Sequence, residues 1–207
     1  MQASAESIRM SIRRDLKFVN ISNDKISLVE WKATGSFKSY ILDMTTIREN
    51  KVNDVFFQIN KGNMKILYVI KNDIIFVIGA EEGSLQHQIL ETLLECIIEK
   101  FHDRNDIISK LSIKNITSDA FTSFKYDIED IIEKFGDLEL VKTVSVQCKV
   151  CKSVFPLTIK KNIIENASSF PVHVVCVHNG HGIICYIDKD FKVRGVGSIN
   201  FAGEILI

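Results

Sequence analysis

Apolar and polar positions alternate, group and regroup along this chain in a way that sorts it into successive segments. Ala5, Ile8, Ile12 and Leu16 recur at helical spacing with arginines between them, which predicts a short amphipathic helix packed against its own domain. Lys17–Ile21 and Ile26–Trp31 flank the turn-rich Ser22-Asn23-Asp24-Lys25 and read as a hairpin, with the lone Trp31 expected in the core. Tyr40, Ile41, Met44 and Ile47 suit a short helix within Gly35–Asn50. Val52–Ile59, Lys65–Ile70 and Ile74–Ile78 follow as three strands, turned at Lys61-Gly62-Asn63 and at Lys71-Asn72-Asp73, which makes an antiparallel meander. The unbroken apolar run Ile74–Ile78 predicts a strand covered on both faces or central in its sheet.

A long helix opens near Ser84, a good N-cap, and carries the stripe Leu85, Ile89, Leu90, Leu93, Leu94, Ile97, Ile98 and Phe101. Glu91, Glu95 and Glu99 repeat every fourth residue on another face, either a solvated surface or a docking edge for a basic partner. His87 and His102, at opposite ends, read as surface residues. A further helix is expected over Asp119–Phe135, capped by Thr117 or Ser118 and stopped by Gly136. Beyond Gly136-Asp137 the period changes to alternation. Glu139–Gln147, Val154–Ile159, Val172–His178, Ile183–Ile187 and Phe191–Val196 are strand candidates, with a helical turn over Lys161–Ala167. The pattern thus predicts an α+β protein: residues 1–104 as a first domain, 105–138 as a linker and helix completing it, and 139–207 as a small, mostly β domain.

Composition changes this picture little. Basic and acidic residues balance at 26 each, and the small excess of 8 basic over 5 acidic residues beyond position 138 is too weak to argue a polyanion partner. No apolar run approaches the ~18 residues of a membrane span, and the N-terminus lacks the apolar core of a signal peptide. Five cysteines, an odd number unevenly placed, suit a reducing cytoplasm better than a disulfide framework.

Candidate chemistry gathers between Cys148 and Cys185. Cys148-Lys149-Val150-Cys151 has the C-x-x-C spacing that turns two thiolates onto one tetrahedral metal. Asn179-Gly180 is the preferred centre of a two-residue hairpin turn, which would set His178 directly opposite His181 on one sheet face, with Cys176 and Cys185 on that face too. Cys148, Cys151, His178 and His181 are therefore the expected ligands of a structural zinc ion joining two hairpins. The plainer alternative makes the cysteines small core residues and the histidines mere flanks of a turn. A Cys176–His178 nucleophile–base pair would be the enzymatic rival, but no oxyanion hole is marked, and Asp188 and Asp190 belong to a natural turn. Phe191-Lys192-Val193-Arg194 interleaves basic and aromatic residues, a weak nucleic-acid patch. No catalytic residue is identified.

The segments Phe56-Phe57-Gln58-Ile59, Lys65–Ile70, Asp73–Gly79 and Leu85–Phe101, in that order after a hairpin and a short connecting segment, resemble the longin domain, the SNARE-like fold of adaptor small subunits and TRAPP-type assemblies. The helix ahead of the first strand is how the related roadblock fold begins. The resemblance covers about half the chain and implies an antiparallel sheet with helices packed on it. It also implies a non-enzymatic protein-interaction module, working with small GTPases or in trafficking complexes as a homo- or heterodimer, cytoplasmic and reaching membranes only through partners. The alternative is a zinc-ribbon nucleic-acid-binding protein that dimerises through its N-terminal half.

Overall fold

A computed structural model describes residues 5–24, 26–33, 52–83, 85–104 and 121–199 of the chain. They form two compact units, one over Ala5–Leu138 and one beginning at Glu139. The expected helix within Gly35–Asn50 and the caps Ser84, Thr117 and Ser118 lie outside the described residues.

The first unit opens with α1 (Ala5–Asp15) and the hairpin β1 (Leu16–Ser22) and β2 (Ser27–Lys32). The meander follows as β3 (Phe57–Lys61), β4 (Met64–Lys71) and β5 (Ile74–Glu81), and then come α2 (His87–Asp103) and α3 (Phe124–Lys134). The five strands make one antiparallel sheet in the order β2-β1-β5-β4-β3. Asn72 and Asp73, both at positive φ (51° and 61°), make the tight turn that the alternation required between β4 and β5. β5 is central, and Ile74–Ala80 are all buried, because both sheet faces are covered.

One face of the sheet carries Phe18, Ile66, Tyr68, Ile70, Ile75 and Val77, with Phe57 stacked on Tyr68 at 5.3 Å. The opposite face meets the helices. Phe76 of β5 sits edge-on to Phe101 of α2 at 5.5 Å, and Phe101 sits edge-on to Phe124 of α3 at 5.2 Å. The helical stripe read from the sequence is this contact surface: Ile89, Leu90, Leu93, Leu94, Ile97, Ile98 and Phe101 are buried. Trp31 is only half-buried.

Several expectations need correction. The strand expected over Val52–Ile59 starts only at Phe57. Asp54 has φ 60°, its N–H goes to the Ile70 carbonyl, and Val52 and Val55 are exposed, so the alternation there reflects an irregular approach to the sheet. α2 starts at His87, with Gln86 at the cap position and no side-chain cap bond. His102 is half-buried between Phe76 and Phe101, and its Nε2 lacks a hydrogen-bond partner among the described residues. Burial, and secondarily the charge of Lys71, lowers its pKa. His87 is also half-buried, joined to Gln58 at 3.0 Å and to Glu91 at 3.2 Å, so the acidic ridge is partly used inside the unit.

Gly136 serves space rather than turn geometry. α3 ends at Lys134 without a left-handed residue at Gly136, and a Cβ there would lie 2.3 Å from the Ala5 carbonyl oxygen. The close approach seats α1 beside the end of α3, where Arg9 pairs with Asp137 at 2.7 Å and Arg13 pairs with Glu133. Ile12 in α1 and Leu16 at the start of β1 are both fully buried. Gly136→Ala should therefore loosen α1 by about 1–3 kcal/mol, the cost of forcing atoms into packed space. Faster amide exchange confined to Ala5–Asp15 is the expected reading, and unchanged protection there would contradict it.

The second unit contains β6 (Val141–Gln147), β7 (Val154–Lys160), α4 (Lys161–Glu165), β8 (Val172–His178), β9 (His181–Ile187) and β10 (Val193–Ile199). β6 and β7 form one hairpin, while β8, β9 and β10 form a three-stranded antiparallel sheet in the order β10-β9-β8. Their inner faces bury Val146, Leu157, Ile159, Ile164, Ile183 and Ile187 together with Cys148 and Cys185. The strand expected over Phe191–Val196 begins at Val193, because Phe191 still belongs to the turn and has φ 60°. No helix among the described residues is long and apolar enough to cross a membrane.

Candidate metal centre

Two hairpin tips build the site. The first is the turn between β6 and β7, closed by Cys148 N–H to the Ser153 carbonyl (2.9 Å) and Lys152 N–H to the Cys148 carbonyl (3.0 Å). Metal-binding turns of this kind often carry a glycine just after the second cysteine. Here Lys152 takes a left-handed conformation itself, φ 62°. The second tip is the Asn179-Gly180 turn, with φ 50° and 77°, between β8 and β9. It pairs His178 directly with His181.

Cys148, Cys151 and His181 converge, their ligand atoms all within 4.8 Å of one another, and the group could hold a metal ion. Cys148 Sγ lies 3.6 Å from His181 Nδ1. Cys148 is buried, His181 half-buried and Cys151 exposed. His178 does not join the three. Its Nε2 contacts Ser153 Oγ at 2.9 Å, and its ring stacks on Phe155 at 4.2 Å, nearly parallel.

Ser153, which the sequence reading did not single out, connects the parts. Its Oγ lies 3.0 Å from Cys151 Sγ as well as 2.9 Å from His178 Nε2. Ser153 thus links the His178 imidazole to the Cys151 sulfur. The Cys151 thiol is brought down to about 6, first by the Ser153 hydroxyl and then by the Ser153 backbone N–H, with smaller help from Cys148 and His178. The thiolate is the metal-binding form. The only sequence signal for Ser153 was its place two residues after a candidate ligand.

The other cysteines behave differently. Cys176 and Cys185, both free thiols, share the inner face of β8 and β9 and hydrogen-bond to each other, which lowers the first thiol's pKa and raises the second's. Cys176 is thus partnered by Cys185 and His178 by Ser153, so the Cys176–His178 pair of a hydrolase does not form. Asp188 is occupied as well, accepting from the N–H groups of Asp190 and Lys192 and from Arg194. Cys96, on α2, has its thiol pushed up to about 12, by burial first and then by Glu99 and Glu95. Within the supposed nucleic-acid patch, Arg194 holds Asp188 at 2.5 Å, and Phe191 lies under the Lys142 ammonium at 4.7 Å.

No protein-family model matches this chain, and no curated protein matches it significantly.

Proposed function

We propose that the protein is a non-catalytic interaction module of the longin or roadblock type, working with small GTPases or within a trafficking assembly, and that its second unit is clasped by a structural zinc ion. One observation carries the first part. A hairpin and a three-stranded meander share one antiparallel sheet of order β2-β1-β5-β4-β3, and a long helix follows and packs on one face, an element order that supports the resemblance. In this reading the protein is cytoplasmic, dimeric, and peripheral at membranes through its partners.

The zinc assignment rests on donor chemistry. Two thiolates and an imidazole are a soft-to-borderline set that suits zinc rather than magnesium or calcium. Cys148, Cys151 and His181 would hold the ion, with water as the fourth ligand, since the imidazole of His178 is engaged by Ser153 and Phe155. The role is structural because a unit this short, with so small a core, is marginal without a staple. When bound, the ion supplies a cross-link between two hairpin tips.

The test is direct binding of the full chain to purified small GTPases in their two nucleotide states, alongside elemental analysis. Binding that distinguishes the nucleotide states, with about one zinc per chain, supports the proposal. No GTPase binding together with salt-dependent binding to generic RNA or DNA would replace it with the zinc-ribbon nucleic-acid reading.

A further inference from the structure

We propose that this centre is also an oxidant-sensitive clasp: a hydroperoxide converts Cys148 and Cys151 to an intramolecular disulfide and releases the metal. The inference rests on the metal reading above and adds a regulation to it.

Access to the two sulfurs is unequal. Cys151 is exposed, whereas Cys148 is fully buried. A small oxidant therefore meets one sulfur first and leaves the other as a resolving thiol. The turn also keeps both sulfurs aimed at one centre, and it is closed on each side by backbone hydrogen bonds. A disulfide requires Cβ atoms ~3.5–4.5 Å apart. The two sulfurs already lie within 4.8 Å of each other, and both cysteines belong to the turn rather than to the paired residues of β6 and β7.

The remaining thiols are poor competitors. Cys185 is fully buried. It pairs in register with Val174, while Cys176 pairs with Ile183, so the two cysteines are diagonal neighbours. Their thiols hydrogen-bond to each other, but diagonal Cα positions ~7–8 Å apart exceed the ~4.4–6.8 Å usual for a disulfide, so a bridge there would need the strands to shift. Cys96 is half-buried on α2, within the other unit, with no second cysteine there.

The chemistry balances with the hydroperoxide as the only oxidant. The Cys151 sulfur attacks the outer peroxide oxygen, the O–O bond breaks, and an alcohol (or water) leaves, giving a sulfenic acid. The Cys148 sulfur then attacks that sulfur; the S–S bond forms and hydroxide leaves, taking a proton to become water. Two sulfurs lose two electrons in total, and the O–O bond gains them. Both thiolate ligands are consumed, so the His181 imidazole alone faces the ion and the hairpin tips are no longer joined.

The zinc-loaded full-length chain, treated with hydrogen peroxide, is expected to lose its one equivalent of zinc to a chromogenic chelator while its free thiols fall from five to three. Trypsin cuts after Lys149, so Cys148 and Cys151 end on separate peptides that stay joined only through a disulfide. That linked pair should be found in oxidised chains that run singly on a denaturing, non-reducing gel and vanish on reduction, after which zinc rebinds. Zinc retained at full thiol oxidation would overturn the inference. So would zinc lost without the 148–151 link, or with a link between chains. A chain that never takes up zinc overturns the metal reading itself, and that result is visible before any oxidant is added.

Discussion

Cys148→Ser is expected to abolish zinc binding and to unfold the second unit while leaving the first folded. Cys148 is a proposed thiolate donor and also a fully buried member of the second core, so its loss would remove the ion and part of the packing. That core is small. Val146, Leu157, Ile159, Ile164, Ile183 and Ile187 supply most of it, and a unit of such size has little stability beyond what a staple adds. A site filled at ~1,000 times its dissociation constant contributes about 4 kcal/mol by mass action. At 4–8 °C per kcal/mol for a small domain, its removal should lower the second unit's melting midpoint by roughly 15–30 °C. Hydrogen exchange separates the two units: protection should collapse over β6–β10 and persist over β1–β5. Chelated wild-type protein should behave like the variant, and Cys176→Ser should keep its zinc. A Cys148→Ser protein that holds a full equivalent of zinc would refute the site.

The second large effect is expected at Phe101. It is fully buried at the junction of sheet and helices, edge-on to both Phe76 and Phe124. Truncation opens a cavity at a place where β5, α2 and α3 all contribute walls, so the site cannot collapse easily. Phe101→Ala should cost about 3–5 kcal/mol. Tyr126→Ala, on the exposed side of α3 at 73 % exposure, should stay within about 0.5 kcal/mol. Urea denaturation followed in the first unit measures both. Equal midpoints for the two variants would mean that the helices do not share this core with the sheet.

The metal centre shows how far residue spacing reaches. C-x-x-C and an Asn-Gly turn between two histidines are local geometry, readable because turn chemistry and the two-residue period place each side chain on a known face. That alone was enough to expect Cys148, Cys151 and His181 together. His178 obeyed the same rules and still turned elsewhere, because Ser153 and Phe155 on a different hairpin offered its ring a hydrogen bond and a stacking face. Nothing within the stretch from His178 to His181 encodes those neighbours.

The same division runs through the fold. Alternation, tight turns and the 3.6-residue stripe determined the meander, the long helix and the change of pattern near Gly136, since each depends on residues close along the chain. Tertiary structure alone decided that Gly136 makes room for the Ala5 carbonyl, that His102 is half-buried against Phe76, and that Val52–Val55 does not pair as a strand. It also drew Ser153 into the site. The physical reason is common to all four. Their environments come from segments distant in sequence, and a residue's own spacing carries no record of what folds against it.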